Sequence, residues 1–358
     1  MSVFPLTPLR RLLPALGFAS IALAACSSTG NPWPGISTDA DRAYIAFGQA
    51  VHAVDLDNGQ EVWRFPQEPV RNQLFYAAPA LTESGLVVVG SYDNKVFALE
   101  AATGDLAWTF DGAQERIVGA PVADGEVVYV PSADGTVFAL GTEDGEPVWT
   151  FTADGHVWAS PLVVDDRIFI GSMSHMVYAL DRGTGHELWS HDAGGAIVDS
   201  PSLVDGVLVV GALGQPLTAL DPATGELRWT AESERWIWAS AASQDGLAYF
   251  GEIGGRLAAA SVTDGTVLEE QQLESAITGR PAIAGELLYV ATETGTVHAL
   301  QLGDLGSEWA ELVPGSKLYG PPVVQGDLVL VGAVSRELLV AALDAGDGDV
   351  RWQFQPTK

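Results

Sequence analysis

The feature that most constrains the fold is an internal repeat of about 40 residues that covers nearly the whole chain. One copy starts at Val177, carries Asp181 and the turn Thr184-Gly185, and ends at Trp189. Its counterparts start at Val51, Val96, Val137, Leu217, Leu257, Val297 and Val340. The position of Asp181 recurs at spacings of 45, 41, 40, 40, 40, 40 and 43 residues, which indicates eight units. Units of this kind stack on their neighbours to bury a shared core.

Within each unit the signals are those of short β-strands separated by tight turns. A Pro opens an apolar stretch, as at Pro201, and Asp205-Gly206 then marks a hairpin turn. Val207–Val210 and Leu217–Leu220 read as the second and third strands, and Trp229 lies in the fourth. No segment carries a helical period. The sequence therefore predicts an all-β fold, an eight-bladed β-propeller of four-stranded antiparallel blades.

Tryptophan marks one position of the repeat. Seven of the eleven tryptophans share it, whereas the sixth repeat has Glu269 there. The seven are Trp63, Trp108, Trp149, Trp189, Trp229, Trp309 and Trp352. A ring wedged between two blades buries about 150–250 Å², which is worth on the order of 4–6 kcal/mol before entropy is counted. We interpret these residues as scaffold.

The sequence does not decide how the first and last units of the ring meet. Seven units have a clear inner strand, starting near Pro79, Pro121, Pro161, Pro201, Ala241, Pro281 and Pro322. The first unit offers only Trp33 to Thr38. Either this stretch is an irregular inner strand, or the amino terminus pairs with the last strand around Trp352 as a clasp.

The amino-terminal residues have the order of a secretory signal. Arg10 and Arg11 precede an apolar run, and small residues lead to Cys26, the single cysteine of the chain. Leu23-Ala24-Ala25-Cys26 resembles a bacterial lipobox, in which the cysteine is lipidated; the alternative is an ordinary signal peptide cut nearby. We predict a lipoprotein signal peptide at 1–25, the lipidated Cys26 with a short linker at 26–32, and the propeller at 33–358.

The charge limits the partners. Acidic residues outnumber basic ones 46 to 17, giving a net charge of −29. Such a chain repels nucleic acid and anionic membrane surfaces. We therefore expect no nucleic-acid binding and membrane contact only through the lipid on Cys26. Together with the signal, this predicts a monomeric extracytoplasmic domain, lipid-anchored to a bacterial membrane.

The segment from Ala219 through Asp221 and Thr224-Gly225 to Trp229 resembles the tryptophan-docking motif of pyrroloquinoline-quinone propellers. One branch of that family comprises quinoprotein dehydrogenases with a central quinone and calcium, many with a disulfide between adjacent cysteines. This chain has only Cys26. The other branch comprises the cofactor-free propeller lipoproteins of the outer-membrane β-barrel assembly machine, which dock partner proteins. This chain resembles them in length and in its lipobox.

Signatures of catalysis or metal binding are weak. The sequence has no Gly-x-Ser-x-Gly elbow, Walker loop or His-Glu-x-x-His motif. Two acidic turns, 55–59 and 344–349, could offer calcium its oxygen ligands, but both coincide with the repeat turn, so we favour a turn role. We predict no metal, no quinone and no catalytic residues.

The residues that enter each inner strand depart most from the repeat. Large aromatic and basic side chains gather there, and they would ring the mouth of the central channel. The candidate binding rim consists of Tyr76, Arg116, His156, Trp158, Asp199, Arg235, Trp236, Trp238, Arg280, Lys317 and Tyr319. Aromatic walls with a few cations suit a binding mouth; alternatively, they fill a tapered opening and offset the acidic field.

These features favour a non-catalytic binding or scaffold lipoprotein of the cell envelope, which uses a propeller face for envelope protein partners. The alternatives are a quinone-dependent oxidoreductase or quinone-binding protein, and a carbohydrate- or polymer-binding module.

Overall fold

The computed structural model describes residues 33–335 and 338–356. Within these ranges the secondary structure consists of strands and turns, and no helix is long and apolar enough to cross a membrane. The strands form eight antiparallel sheets in which sequence neighbours pair. The predicted eight-bladed β-propeller of four-stranded blades is confirmed. The proposed signal peptide and Cys26 lie outside the described residues and stay predictions.

The first four blades follow the chain in order, each from its inner to its outer strand. Blade 1 contains β1 Gly35–Thr38, β2 Arg42–Phe47, β3 Ala50–Asp55 and β4 Glu61–Phe65. Blade 2 contains β5 Ala80–Leu81, β6 Leu86–Gly90, β7 Val96–Glu100 and β8 Leu106–Phe110. Blade 3 contains β9 Val122–Asp124, β10 Val127–Pro131, β11 Thr136–Gly141 and β12 Pro147–Thr152. Blade 4 contains β13 Leu162–Val164, β14 Arg167–Gly171, β15 Met176–Asp181 and β16 Glu187–Asp192.

The remaining blades repeat this order, and the last has one additional short strand. Blade 5 contains β17 Ser202–Val204, β18 Val207–Val210, β19 Leu217–Leu220 and β20 Leu227–Ala231. Blade 6 contains β21 Ala242–Gln244, β22 Leu247–Gly251, β23 Arg256–Ser261 and β24 Val267–Gln272. Blade 7 contains β25 Ala282–Ala284, β26 Leu287–Ala291, β27 Thr296–Gln301 and β28 Ser307–Leu312. Blade 8 contains β30 Val323–Gln325, β31 Leu328–Val334, β32 Val340–Asp344 and β33 Val350–Phe354, and β29 Lys317–Leu318 pairs with β31.

Turn chemistry sets the register of the blades. In blade 5, Val204 pairs with Val207 across the two-residue turn Asp205-Gly206, and both turn residues have positive φ, 44° and 80°. A hairpin turn of this kind matches the twist of the strands. At the turn before the outer strand of this blade, Asp221 Oδ1 accepts the backbone N–H of Ala223 at 2.8 Å. The carboxylate therefore satisfies a turn donor, as the repeat pattern suggested.

Each of the seven repeat tryptophans lies against the next blade. The indole N–H donates to a backbone carbonyl there, for example from Trp189 to Pro222 at 3.1 Å. The ring also covers a glycine: a Cβ at Gly225 would lie 2.6 Å from the ring of Trp189. The same donation joins Trp63 to Ala101, Trp108 to Thr142, Trp149 to Arg182, Trp229 to Val262, Trp309 to Ala345 and Trp352 to Leu56. Glycine and tryptophan form one interlocking unit because any side chain on the glycine would occupy the place of the ring.

The seam between blades 6 and 7 is built differently. Glu269 occupies the tryptophan position and is exposed. The glycine position of blade 7 is taken by Leu305, which is 2% exposed and has a φ of 57°. Leu305 packs in the core formed by Tyr249, Ile277 and other residues of blades 6 and 7. The leucine side chain therefore fills this seam where an indole fills the others.

The ring closes by packing rather than by a shared sheet. The inner strand β1 pairs with β2 and the outer strand β33 pairs with β32. Trp352 joins the two ends, because its indole N–H donates to Leu56 of blade 1 at 2.6 Å. Ile36 and Phe354 lie in the core that blades 8 and 1 share. Of the two alternatives for the first unit, the structure shows the inner strand and not the clasp.

Candidate functional site

The candidate rim lies on the connections from the outer strand of one blade to the inner strand of the next. We call these seven segments the mouth loops: 66–79, 111–121, 153–161, 193–201, 232–241, 273–281 and 313–322. Each of the first six is held by a backbone hydrogen bond from the loop between the second and third strands of the blade it enters. Examples are Leu213 to Ala196 at 2.9 Å and Ile253 to Trp236 at 3.0 Å. These two sets of loops therefore share one face of the propeller.

Tyr76 and Arg116 belong to a small aromatic group on this face. The ring of Tyr76 lies edge-on to Tyr92 at 4.9 Å and to Phe47 at 6.0 Å. The guanidinium of Arg116 lies over Tyr92, 5.4 Å from its ring centroid. Burial raises the pKa of both Tyr92 and Tyr76. This group is rigid and apolar with one stacked cation, an arrangement that attracts the charge to the ring face.

His156 and Trp158 form a second group, on the loop that enters blade 4. Their rings are stacked with centroids 6.5 Å apart. Nδ1 of His156 contacts the carbonyl of Ala133 and lies 3.9 Å from Glu115. The indole nitrogen of Trp158 is buried and has no hydrogen-bond partner among the residues that the structure describes.

Lys317 and Tyr319 share an acid that sequence reasoning did not include. Lys317 donates to Glu293 at 2.7 Å, and the hydroxyl of Tyr319 lies 3.2 Å from the same carboxylate oxygen. The hydrogen bond to Glu293 raises the pKa of Lys317. The ring of Tyr319 also lies 6.2 Å from that of Trp33. The charge of Lys317 is therefore balanced within the protein.

The loop that enters blade 6 presents the most exposed aromatic residue of the rim. Trp236 is 44% exposed, between Arg235, which is exposed, and Ile237, which is buried. Trp238, two residues further on, is half-buried. An exposed tryptophan on a folded loop is an uncommon use of so large an apolar side chain.

Glu252 fixes that loop from below. Its side chain is fully buried and accepts the backbone N–H of Arg235 at 2.8 Å and of Glu234 at 3.2 Å. Arg256 donates to the same carboxylate at 2.6 Å and to Glu270 at 2.8 Å. Although burial alone would lower the pKa of Arg256, these two carboxylates raise it. A buried charge is tolerated only when paired and hydrogen-bonded in this way.

Sequence reasoning missed Glu252, although the repeat carried a signal. The corresponding residue is small in the other blades from 2 to 8 and is buried in each: Ser91, Ser132, Ser172, Ala212, Thr292 and Ala333. A glutamate at such a position must find partners within the fold. Its backbone partners belong to the mouth loop of the same blade.

Asp199 and Arg280 are half-buried on the loops that enter blades 5 and 7. Oδ2 of Asp199 accepts the backbone N–H of Ser240 at 2.9 Å. Burial raises the pKa of Asp199, and the Ser240 hydrogen bond and the charge of Arg280 offset this in part. Burial also lowers the pKa of Arg280.

The acidic turns have their carboxylates engaged by the backbone. Oδ1 of Asp55 accepts the N–H of Asp57 at 3.0 Å, and Oδ1 of Asp344 accepts that of Gly346 at 2.8 Å. In the described part of the chain, no group of three or more His, Cys, Asp or Glu side chains is arranged to hold a metal ion. Two cavities, of about 340 and 570 Å³, are lined by residues of the turns such as Asp181 and Asp57, not by the rim.

Comparison with known proteins places the fold in a family. The model of the family described as outer membrane protein assembly factor BamB matches residues 48–158 and 153–353. The two segments cover most of the chain and include all blades in whole or in part. The chain belongs to the BamB family. It resembles that family in the repeat as well as in the eight-bladed ring.

Solved structures of similar fold agree with this assignment. BamB from Moraxella catarrhalis matches with a TM-score of 0.71 and 20% identity, covering 83% of this chain and 92% of that one. The computationally designed Ika8 protein matches with a TM-score of 0.74 and 18% identity, over 88% and 96% of the two chains. Sqt1 from Saccharomyces cerevisiae matches with a TM-score of 0.70 and 12% identity, over 79% and 85%. At these identities the likeness to BamB and the others shows the fold alone.

A curated enzyme also matches over a short stretch. Quinohemoprotein alcohol dehydrogenase from Comamonas testosteroni is 33% identical over 90 residues, which is 22% of this chain and 13% of the dehydrogenase. This BamB-family chain therefore matches only a small part of that enzyme. The shared stretch is short enough to reflect the common repeat.

Proposed function

We propose that this protein is a non-catalytic scaffold of the bacterial cell envelope that binds protein partners through the face formed by the mouth loops. Membership of the BamB family supports a role in outer membrane protein assembly, and an envelope location follows from the same family and from the predicted signal. We further propose that a lipid on Cys26 anchors it. Replacement Cys26→Ser should move the protein from the membrane fraction to the soluble envelope fraction; unchanged fractionation would contradict the anchor.

The observation that carries the proposal is Trp236 on its fixed loop. Interface energy concentrates in a few aromatic and Arg residues. Affinity is gained when such residues are held in place before binding, because less conformational entropy is lost. Glu252 provides that restraint by accepting two backbone N–H groups of the loop. Trp236 is thus an exposed aromatic anchor on a rigid support, with the cation of Arg235 beside it.

A quinone with calcium does not fit the residues of the channel mouth. Among the rim residues only Asp199 is acidic, and its carboxylate is engaged by Ser240. Calcium requires six to eight oxygen ligands, and the single cysteine excludes a disulfide between adjacent cysteines. We propose that the protein acts without this cofactor. Addition of the quinone with calcium should give no bound absorbance band and no dye reduction with alcohols or sugars; either signal would favour the oxidoreductase alternative.

Site-specific photo-crosslinking tests the binding face. A photoreactive phenylalanine analogue is placed at Trp236 and, as a control, at Leu227, which is 55% exposed on the outer strand of blade 5. In cells of the native host, position 236 should give discrete adducts with envelope proteins and position 227 should not. Adducts at 227 alone, or the same adducts at both positions, would refute the proposed face. The variant Trp236→Ala should reduce capture of the same proteins at temperatures well below its Tm, which should fall only modestly because 44% of the residue is already exposed.

A further inference from the structure

Two charged residues stand where the other repeats have small ones. The comparison concerns the two residues immediately before each inner-strand segment. In five of the seven mouth loops both are uncharged, and most are small: Ala77 and Ala78, Gly119 and Ala120, Ala159 and Ser160, Ala239 and Ser240, and Gly320 and Pro321. The loop entering blade 5 has Asp199 at the first of them, and the loop entering blade 7 has Arg280 at the second. Because the inner strands of neighbouring blades contact one another, these positions lie where the blades converge.

The two charges lie at the starts of the inner strands of blades 5 and 7, with the inner strand of blade 6 between those strands. Asp199 enters blade 5 and Arg280 enters blade 7, and each alters the pKa of the other. Asp199 reaches the loop that enters blade 6, because its Oδ2 accepts the N–H of Ser240 at 2.9 Å. The two groups nevertheless form no ion pair within 4.0 Å in the described chain.

Arg280 has no hydrogen-bond or ion-pair partner among residues 33–335 and 338–356. Among the other cations of this face, Arg256 is paired with Glu252 and Lys317 with Glu293, whereas Arg235 is exposed to solvent. A half-buried guanidinium without an anionic partner in contact is costly, since burial removes part of its hydration.

Asp199 balances this cation only in part. One of its oxygens accepts the N–H of Ser240, and burial raises its pKa, which weakens it as a counter-ion. The five donors of a guanidinium lie in a plane and match the two oxygens of a carboxylate. The guanidinium of Arg280 therefore has the geometry to bind an oxyanion at the start of the inner strands.

We propose that Arg280 binds a carboxylate of a partner protein, supplied by an acidic side chain or a chain terminus of an extended segment that enters the channel mouth. This rests on the proposed scaffold function and names the chemistry that its mouth would recognise. The net charge of −29 opposes anions in proportion to their charge. It therefore favours a single carboxylate on an otherwise neutral segment over phosphate or a polyanion. Trp238 and Tyr319, on the neighbouring loops that enter blades 6 and 8, supply aromatic surface for the rest of such a segment.

Arginine side-chain NMR tests the proposal on the full chain. The Nε–Hε signal of Arg280 is assigned with Arg280→Gln, and three peptides are titrated: acetyl-Gly-Glu-Gly-amide, acetyl-Gly-Gly-Gly with a free carboxyl end, and acetyl-Gly-Gln-Gly-amide. The two acidic peptides should shift this signal saturably, and their relative affinities tell which carboxylate source is preferred. The neutral peptide should not. Inorganic phosphate should bind at least tenfold more weakly than the better acidic peptide.

Three variants make the outcome decisive. Arg228→Gln removes an exposed cation on the outer strand of blade 5, outside the mouth loops, and should leave peptide binding unchanged. Arg280→Lys keeps the charge but loses the planar pair of donors, so it should bind at least tenfold more weakly. Asp199→Asn removes the competing carboxylate and should bind several-fold more tightly. Unaltered signals of the other arginines show that each variant is folded.

The proposal is overturned if the acidic and neutral peptides act alike, if phosphate binds best, or if Arg228→Gln and Arg280→Gln have equal effects. Crosslinking from Trp236 separates this result from the scaffold function. Partner adducts that persist when the peptides fail to bind would leave the scaffold and remove only the carboxylate site. Peptide binding without partner adducts would support the carboxylate site and contradict the scaffold function.

Discussion

The seam between blades 6 and 7 allows the rule of tryptophan docking to be tested by restoring it. At the other seven seams, a Cβ on the docking glycine would lie 2.4 to 2.8 Å from the indole ring. Leu305 occupies that place at the exceptional seam, and Glu269 stands where the indole would begin. The two substitutions Glu269→Trp and Leu305→Gly should therefore each be harmful alone and compatible together.

The magnitudes follow from burial. Loss of the buried leucine side chain costs about 2–5 kcal/mol, of which about 1 kcal/mol returns because glycine relieves the left-handed backbone of Leu305. Tryptophan at 269 alone meets the leucine and costs about 1–3 kcal/mol through overpacking. In the double variant the ring can cover the new glycine, and its burial is worth about 4–6 kcal/mol before entropy. The coupling between the two sites should therefore be about 3 kcal/mol and favourable.

The measurement is a double-mutant cycle on denaturant midpoints, with Tm as a second readout. The reverse exchange, Trp229→Glu with Gly265→Leu at a normal seam, is the matched control and should show coupling of the same sign. Tyr249 presents no obstacle, because Tyr44, Tyr129 and Tyr289 hold the same position beside docked tryptophans. Additivity within about 0.5 kcal/mol would mean that the two side chains do not compete for one space, and the reasoning would fail.

Three further predictions concern closure, the fixed loop and acid stability. Trp352→Ala should destabilise the protein by about 3–5 kcal/mol, as much as Trp189→Ala at an internal seam, because closure uses the same docking; a much smaller fall in Tm would indicate another closing contact. Glu252→Gln should speed hydrogen exchange at residues 234 and 235 and lower Tm, since the amide accepts at one atom where the carboxylate accepts at two, and Arg256 loses one of its two anionic partners; unchanged exchange would show that the loop is held elsewhere. Although burial alone would raise it, hydrogen bonds led by that from Thr292 lower the pKa of Glu274 to about 2. Its contribution to stability is thus complete above its ordinary pKa of 4.5 and lost as the pH falls toward 2, so Glu274→Gln should flatten the decline of Tm over that range, and an unchanged slope would contradict the assignment.

The eight blades could be predicted because strand length, turn residues and tryptophan repeat at nearly constant spacing, and each signal is local in sequence. The state of the rim could not. The sequence groups Lys317 with the other cations, but its partner Glu293 comes from a loop between two strands of another blade. Arg116 likewise stacks on Tyr92, which no repeat position marks as special. Pairing of this kind depends on which loops share a face, and only the closed ring determines that.

The departures from the repeat are concentrated in one sector of the ring. Asp199, Glu252, Glu269, Arg280 and Leu305 all belong to blades 5 to 7 or to the loops that enter them. If stability alone determined the seam between blades 6 and 7, we would expect it to keep the docking tryptophan that the seven other seams use. At the seam of blades 6 and 7 the core is instead filled from blade 7 by Leu305, and Glu270, on the same outer strand as Glu269, accepts from Arg256. That arginine supports Glu252 and, through it, the loop of Trp236. Ion pairs and hydrogen bonds therefore run from Glu270, which is adjacent to Glu269 on the outer strand of blade 6, to the loop of Trp236. Such a concentration of departures is expected if this sector is specialised for a partner while the rest of the ring serves as its support.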